Sequence, residues 1–302
     1  MDSTDLRFFR AVAATGTIAG AAAELNCVPS NVTTRIRQME ARLGTPLFFR
    51  HSRGMKLTRA GEALLPFAEQ NDDLLTRARH AVQEADGMNA PLRLGAMETA
   101  AAIRMPGLIA RLKEKLPGLA LSLMTGNSQM LAEAVLERRI DGAFVSSARE
   151  GAPWPDGIEA VPAFEESMVL IEPAGGARQD DTLLVFGHGC SYRQMAEDWI
   201  AEAEGGAPEI MEFGSLDAIV GCVAAGLGRS LVPEAAARAS VYAADITITP
   251  PGPRYAHAPT FFIRRRDMPE TRSMSELLAL TREMAAAGTP PPRQRQKRRP
   301  AA

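Results

Sequence analysis

Over the first 85 residues apolar positions recur every three to four residues, and the breaks fall on residues that start or stop helices. Leu6, Phe8, Phe9, Val12 and Ala13 share one helical face, which stops at Thr15-Gly16. Thr17 suits the N-cap of a second, alanine-rich helix ending near Leu25-Asn26, because its hydroxyl can accept from an unpaired first-turn amide. Pro29 suits the first position of a third helix, where no amide partner is needed. Val32, Ile36, Met39 and Leu43 keep one apolar face on that helix, and Gly44 closes it. Over 58–87, Leu64, Ala68, Asn71, Leu75, Ala78 and Val82 repeat at four and three residues, with Thr58 as cap, Gly87 as stop and Pro66 bending the first third. A helix that long with a single apolar stripe needs a partner, and a second copy is the simplest one. A homodimer joined through Leu64, Ala68, Leu75, Ala78 and Val82 is therefore predicted.

From Pro91 the pattern changes to short apolar runs alternating with amphipathic stretches. It predicts strands at Leu92–Met97, Leu119–Thr125, Gly142–Ser146, Met168–Glu172, Leu183–Phe186, Glu209–Phe213, Ser230–Val232 and Pro259–Ile263. Helices are predicted at Ile103–Lys115, Ser128–Arg138, Asp217–Ala225 and Thr271–Ala287. This alternation implies an α/β body with helices covering its sheet. Residues 288–302, GTPPPRQRQKRRPAA, hold no apolar stripe and read as a disordered basic tail, either solubilising or adding phosphate contacts.

With 302 residues the chain is long enough for two domains, at about 100–200 residues each. Hydrophobic residues at 46% and charged residues at 23% fit a folded protein and exclude a disordered or collagen-like chain. No apolar run reaches the roughly 18 residues of a membrane span, and the acidic start lacks a secretory signal, so a cytoplasmic location is expected. Cys27, Cys190 and Cys222 are too few and too scattered for a disulfide framework. The four histidines show no metal-ligand spacing, so neither a metal nor a cofactor is expected.

The net charge of −2 hides an asymmetry. Residues 1–60 carry nine Lys/Arg against four Asp/Glu, residues 61–287 carry 20 against 32, and the last 15 carry five against none. A basic head on an acidic body points to a polyanion met only by the head. Thr17–Leu25, the turn Asn26–Val28 and Pro29–Leu43 have the layout of a helix-turn-helix, whose second helix enters the major groove. Opposite Val32 and Ile36 lie Ser30, Asn31, Thr34, Arg35 and Gln38, short polar groups and an arginine suited to bases and phosphates. Arg50-His51-Ser52-Arg53-Gly54 reads as a basic hairpin. The residues alone leave open a plain three-helix bundle with a solvated basic face.

Residues 17–61 narrow the choice. Ala21-Ala22 with Leu25, Val32-Thr33, Ile36, Glu40-x-x-Leu43-Gly44, Leu47-Phe48-x-Arg50 and Leu57-Thr58-x-x-Gly61 stand in the order found in LysR-type transcriptional regulators of bacteria. The chain resembles that family over essentially all of residues 2–287. The resemblance implies a winged helix-turn-helix at 1–60, a dimerisation helix at 61–88, and an effector-binding domain at 89–287 with the type 2 periplasmic-binding-protein fold. Its first lobe is placed at 91–161 plus 267–287 and its second at 162–266. DNA contacts are expected from Pro29, Ser30, Asn31, Thr33, Thr34, Arg35, Arg37, Gln38, Arg50, His51 and Arg53. The chain departs from many relatives at Val28-Pro29, where they have a Ser/Thr cap and then Gln, which shifts base reading to Ser30, Asn31, Thr34 and Arg35.

The resemblance also implies promoter DNA as a partner, homodimers assembling into homotetramers, RNA polymerase as a partner if the protein activates, and a small effector between the lobes. An anionic effector is one option, since helix N-termini at strand ends offer amides to an anion. By position the effector residues are Glu98, Thr99, Asn127, Ser128, Cys190, Ser191, Tyr192, Gly214 and Ser215. GCSYR and GSLDAIVGCVAAGLG are similar to the branch that holds citrate-pathway and related metabolic regulators. Local capping is the competing role for each polar residue at a strand end. A redox role for Cys190 would need a low-pKa thiol and a resolving partner, and no spacing joins it to Cys222. Trp154 and Trp199 read as packing residues, and Arg264-Arg265-Arg266, near the presumed hinge, as facing water, with anion binding as the alternative. Two rival classes are an enzyme, which occurs on the same fold in porphyrin synthesis, and a solute-binding protein, which the missing export signal opposes. No catalytic residues stand out, because His188 and Cys190 lack an orienting third group at recognisable spacing.

Overall fold

The computed structural model describes residues 1–51, 54–147, 154–176, 182–204, 208–268 and 270–287. The chain divides into two compact units, with the boundary between Asp86 and Gly87. The predicted basic tail, Ser52 and Arg53 lie outside the described residues.

The first unit begins with α1 (Ser3–Thr15), capped by a reciprocal pair: the Asp5 amide donates to Asp2 and the Asp2 amide to Asp5, at 2.9 and 3.0 Å. Gly16 ends it in the left-handed region, and Thr17 caps α2 (Ile18–Glu24) by accepting from the Gly20 amide. In α3 (Pro29–Leu43) Val28 offers no side-chain bond, so the fixed φ of Pro29 sets the start. A two-stranded wing follows, β1 (Phe48–His51) antiparallel to β2 (Gly54–Leu57). The wing is tied to the α1–α2 turn by the Met55 amide donating to the Gly16 carbonyl at 2.7 Å. Gly54 sits there at φ +132°, and a Cβ would stand 2.5 Å from that carbonyl oxygen.

Phe9, Val12, Ala21, Ala22, Val32, Ile36, Met39, Leu47 and Phe48 form the core of this unit, with Phe9 and Phe48 rings 5.2 Å apart. The long helix α4 (Arg59–Ala85) starts at the Thr58 cap and contains Pro66. The apolar seam predicted along it divides. Ala68 is 1% exposed and Leu64 packs beside it, both committed to the unit's own core. Leu75, Ala78 and Val82 stay exposed, together with Phe67 and Leu74, which the spacing of the predicted seam passes over. An α-helix drifts relative to a strict seven-residue repeat, so one stripe turns from the intramolecular face to an open one along 27 residues.

The second unit follows in the order β3 (Leu92–Ala96), α5 (Glu98–Ile103), α6 (Met105–Lys115), β4 (Leu121–Thr125), α7 (Ser128–Leu136), β5 (Gly142–Ser146), β6 (Ile158–Pro173), β7 (Leu183–Phe186) and α8 (Ser191–Glu204). Then come β8 (Ile210–Phe213), α9 (Leu216–Ala224), β9 (Ser230–Pro233), α10 (Glu234–Ala239), β10 (Ile246–Thr249), β11 (His257–Arg265) and α11 (Arg272–Ala287). β3 lies parallel between β4 and β5, and β11 lies antiparallel between β5 and the first half of β6. The second half of β6 passes into a second sheet between β9 and β10, while β7 and β8 pair in parallel. Two lobes result, joined by β6 and β11.

This corrects the lobe boundary placed at 162–266. β11 belongs to the first sheet, and β6 does so through Ser167, so the second lobe's own pairing begins at Met168. The predicted helix 103–115 breaks at Arg104, two residues before Pro106, which has no amide to donate into a continuous helical ladder and is tolerated only in the first turn of α6. The helix α8 is absent from the predicted elements; its inward face is Tyr192, Met195, Ala196, Trp199 and Ile200. Trp199 donates its indole N–H to the Pro251 carbonyl at 2.9 Å, and Trp154 packs edge-on against Phe261, both as expected of packing residues. Of the three arginines expected to face water, Arg264 and Arg265 are partly buried, while Arg266 is exposed. The three bond to Glu159, to Asp267 and the Leu136 carbonyl, and to the Ile158 carbonyl respectively.

Candidate functional site

On α3 the residues Pro29, Ser30, Asn31, Thr34, Arg37 and Gln38 are exposed along one side, opposite the buried Val32, Ile36 and Met39. Thr33 is less open, and its hydroxyl donates back to the Pro29 carbonyl at 3.0 Å. Arg35, expected to read bases, is held elsewhere. Its Nη1 donates to Asp5 Oδ1 at 2.9 Å, lies 3.6 Å from Asp2, and its guanidinium covers the Phe8 ring at 5.4 Å. Arg42 reaches the other oxygen of the same carboxylate at 3.1 Å. Burial alone would raise the Asp5 carboxyl, but the Asp2 amide and the two guanidinium groups outweigh it and hold the carboxyl below its ordinary value. Arg35 therefore clamps α3 to α1.

Glu40 performs a similar service for the wing. One of its oxygens accepts from the Leu47 and Phe48 amides at 2.9 and 3.3 Å, and the other holds Arg50 at 3.1 Å. His51 is exposed on β1, and Arg53 lies outside the described residues. Lys56, not singled out from the sequence, is exposed across the hairpin from Phe49. With Thr15, Thr17 and His51 it lines a recess of about 550 Å³ beside the α1–α2 turn. The alternation of the second wing strand is the signal that could have found it.

The second unit holds a cavity of about 620 Å³ at the C-terminal ends of β3, β4, β7 and β8. Glu98, Thr99, Asn127, Cys190, Tyr192 and Gly214 line it, as the sequence predicted. Ser128, Ser191 and Ser215 do not. The Ser191 hydroxyl donates to the Ser146 carbonyl at 2.6 Å and lies 3.0 Å from Ser128 Oγ, while Ser215 caps α9 by accepting from the Ala218 amide. These three perform the local bonding that competes with ligand binding at strand ends. Met97, Thr125, Gly126, Phe186, Gly187, Glu212 and Phe213 complete the lining and are not among the predicted residues. Most sit at or just past a strand end, next to the predicted ones.

The lobes are stitched across this cavity. Asn127 Nδ2 donates to the His188 carbonyl at 3.0 Å, Thr99 Oγ1 and Tyr192 Oη lie 3.4 Å apart, and the Leu216 amide donates to Glu98 at 3.4 Å. Burial pushes the Glu98 carboxyl above its ordinary value, opposed by the Leu216 amide and reinforced by the charge of Asp217. Burial likewise pushes the Cys190 thiol and the Tyr192 phenol up. A raised thiol is the opposite of what a redox switch needs, and all three cysteines are free. Glu212 is held low by its bond from Arg193, 2.6 Å away, with His188 3.3 Å from the same oxygen. Behind the cavity Arg104 makes two 3.0 Å bonds to Glu166 on β6, both side chains buried, with Phe164 under the guanidinium.

The chain thus carries a winged helix-turn-helix with an open polar face on α3 and a two-lobed α/β unit with a cavity between its lobes, the architecture of a helix-turn-helix transcriptional regulator with a substrate-binding domain. Residues 3–62 match the family model of the bacterial regulatory helix-turn-helix protein, lysR family, and residues 85–286 match that of the LysR substrate binding domain. The chain belongs to the LysR family of bacterial transcriptional regulators. It is 41% identical over 271 residues to the HTH-type transcriptional regulator YusT of Bacillus subtilis, covering 88% of this chain and 90% of that one. It is 38% identical over 286 residues to the HTH-type transcriptional regulator GltR of the same species, covering 92% and 95%. Its fold is similar to a full-length variant of OxyR from Pseudomonas aeruginosa (TM-score 0.69, 24% identity, 96% of this chain and 98% of that one). It is also similar to full-length CbnR in complex with its target DNA (TM-score 0.62, 23% identity, 94% and 100%). Among the described residues no helix is long and apolar enough to cross a membrane.

Proposed function

We propose that the protein binds promoter DNA as a homodimer or higher assembly, inserting α3 into the major groove, and that a small effector in the interlobe cavity alters that binding or the bend it imposes. The observation that carries this reading is the division of labour on α3. Arg35 and Arg42 are committed to Asp5, which leaves Ser30, Asn31, Thr34, Arg37 and Gln38 as a continuous open polar face. His51 and Lys56 on the wing suit phosphate or minor-groove contact. RNA polymerase is a further partner if the protein activates. Regulation requires that the effector favour one arrangement over another, since equal affinity for both shifts nothing.

The test is fluorescence anisotropy of the full chain on its own upstream DNA, with random competitor DNA at several salt concentrations. Wild type is expected to resist competitor, and Arg37→Ala and Asn31→Ala to lose about tenfold in affinity for the specific site, in keeping with one base or phosphate contact each. Binding no tighter than to random DNA in every upstream fragment would sink the reading.

A further inference from the structure

The charges and rings around the interlobe cavity select a chemical class of ligand. Two carboxylates line it, Glu98 and Glu212, and among the described residues no Lys or Arg does. Glu212 is already matched by Arg193 at 2.6 Å. Glu98 is not: its bond in this structure is a long one, 3.4 Å, from the Leu216 amide of the opposite lobe, and no cation lies within ion-pair distance of it among the described residues. Three aromatic rings, Phe186, Tyr192 and Phe213, share the cavity lining with it, and Phe186 and Tyr192 form a corner with centroids 6.5 Å apart and planes inclined by 53°. A half-buried unmatched carboxylate repels an anion and attracts a cation, and ring faces add a second attraction for the same sign of charge.

We propose that the cavity takes an organic ammonium compound, its charged nitrogen placed between the Glu98 carboxylate and the Phe186–Tyr192 corner. The inference rests on the reading of the cavity as the effector site and names the class of effector. Because Glu98 belongs to α5 and its bond comes from the first residue of α9, an ammonium group that takes over the carboxylate releases one stitch between the lobes. Ligand charge is thereby connected to lobe arrangement.

Saturation-transfer NMR and calorimetric titration of the full chain test this with three probe sets of similar size: benzylamine, choline and 1,4-diaminobutane; benzyl alcohol and butanamide; benzoate, butanoate and succinate. Two variants accompany wild type, Glu98→Gln and Gly214→Trp. A side chain at Gly214 starts with nothing within 4 Å of its Cβ and can grow into the cavity. A cooperative transition at or above the wild-type melting temperature would show that each variant folds. The expected result is ammonium binding at least tenfold tighter than carboxylate binding, weakened at least tenfold by Glu98→Gln and abolished by Gly214→Trp. Carboxylate binding that Gly214→Trp abolishes would overturn the ammonium proposal and keep the cavity as effector site. Ammonium binding indifferent to Glu98→Gln would also overturn it. Probes of all three sets indifferent to Gly214→Trp would overturn the effector reading itself.

Discussion

Two arginines two residues apart on one helix have opposite assignments. Arg35 is about one-third exposed and bonded to a buried carboxylate, whereas Arg37 points into solvent. Removing Arg35 leaves Asp5 with one guanidinium partner fewer and should cost about 1–3 kcal/mol in urea unfolding, as bonds to charged groups do. Removing Arg37 should change stability by less than about 0.5 kcal/mol, so the two variants separate in stability even where both lose DNA affinity. Asp5 also carries a pH signature. Its carboxyl is lowered in the folded chain, so its stabilisation is complete above the unfolded value of about 3.9 and fades as pH falls through the folded one. The stability difference between wild type and Asp5→Asn should therefore shrink in acid. Glu98 runs the other way. Its raised carboxyl means that the folded state binds the proton more readily, so stability declines as pH rises from the ordinary value through the raised one. Glu98→Gln should match wild type in acid and melt higher at neutral pH, and a variant that melts lower at neutral pH would contradict this assignment.

Local chemistry makes the helix ends legible in the sequence. Thr17, Thr58 and Gly44 cap where their side chains or φ freedom demand, and Pro29 starts α3 without a capping side chain. Ser215 shows the limit of that legibility, since a hydroxyl at a strand end looks the same whether it meets a ligand or, as here, the Ala218 amide. The crossing strand β6 is only half legible for a different reason. Pro162 lacks an amide, Glu165 and Glu166 interrupt the apolar run, and the register shifts opposite Thr260 and Phe261, so alternation breaks where the strand continues. Arg35 departs from its expected role because its partner, Asp5, is 30 residues away and invisible to helical periodicity. The same blindness affects α4, whose stripe serves two surfaces. Leu64 and Ala68 close the unit's own core, leaving Phe67, Leu74, Leu75, Ala78 and Val82 exposed as the seam of the proposed homodimer. Sedimentation should accordingly show Leu74→Asp with Val82→Asp as a dissociated chain with an intact fold, whereas Ala68→Leu should lose about 1–3 kcal/mol of stability by overpacking. Wild-type-like association of the double variant would exclude this stripe as the seam.

Among the described residues the hydrophobic clusters fall on either side of the Asp86–Gly87 boundary, and none includes buried residues from both units. Each unit thus has its own core and its own reason to unfold cooperatively, which predicts two transitions in calorimetry instead of one. Variants can label them. At Gly61 a Cβ would stand 2.3 Å from the Leu47 carbonyl oxygen and 2.8 Å from the Leu57 side chain, so Gly61→Ala must strain the first unit alone. In the second unit Glu166→Gln leaves Arg104 buried without its carboxylate, a change worth about 3–5 kcal/mol. Each substitution should lower its own transition and leave the other within error, whereas a common shift of both would show that the units unfold as one. The labelled transitions then measure regulation directly. A ligand at 100 times its dissociation constant adds about 2.7 kcal/mol to the state that binds it. A cavity ligand that lifts only the second transition has been bound without being communicated. If it also moves the first, or changes the DNA affinity of the chain, the size of that second effect is the coupling free energy between cavity and recognition helix, and linkage requires DNA to change the ligand's affinity by the same factor.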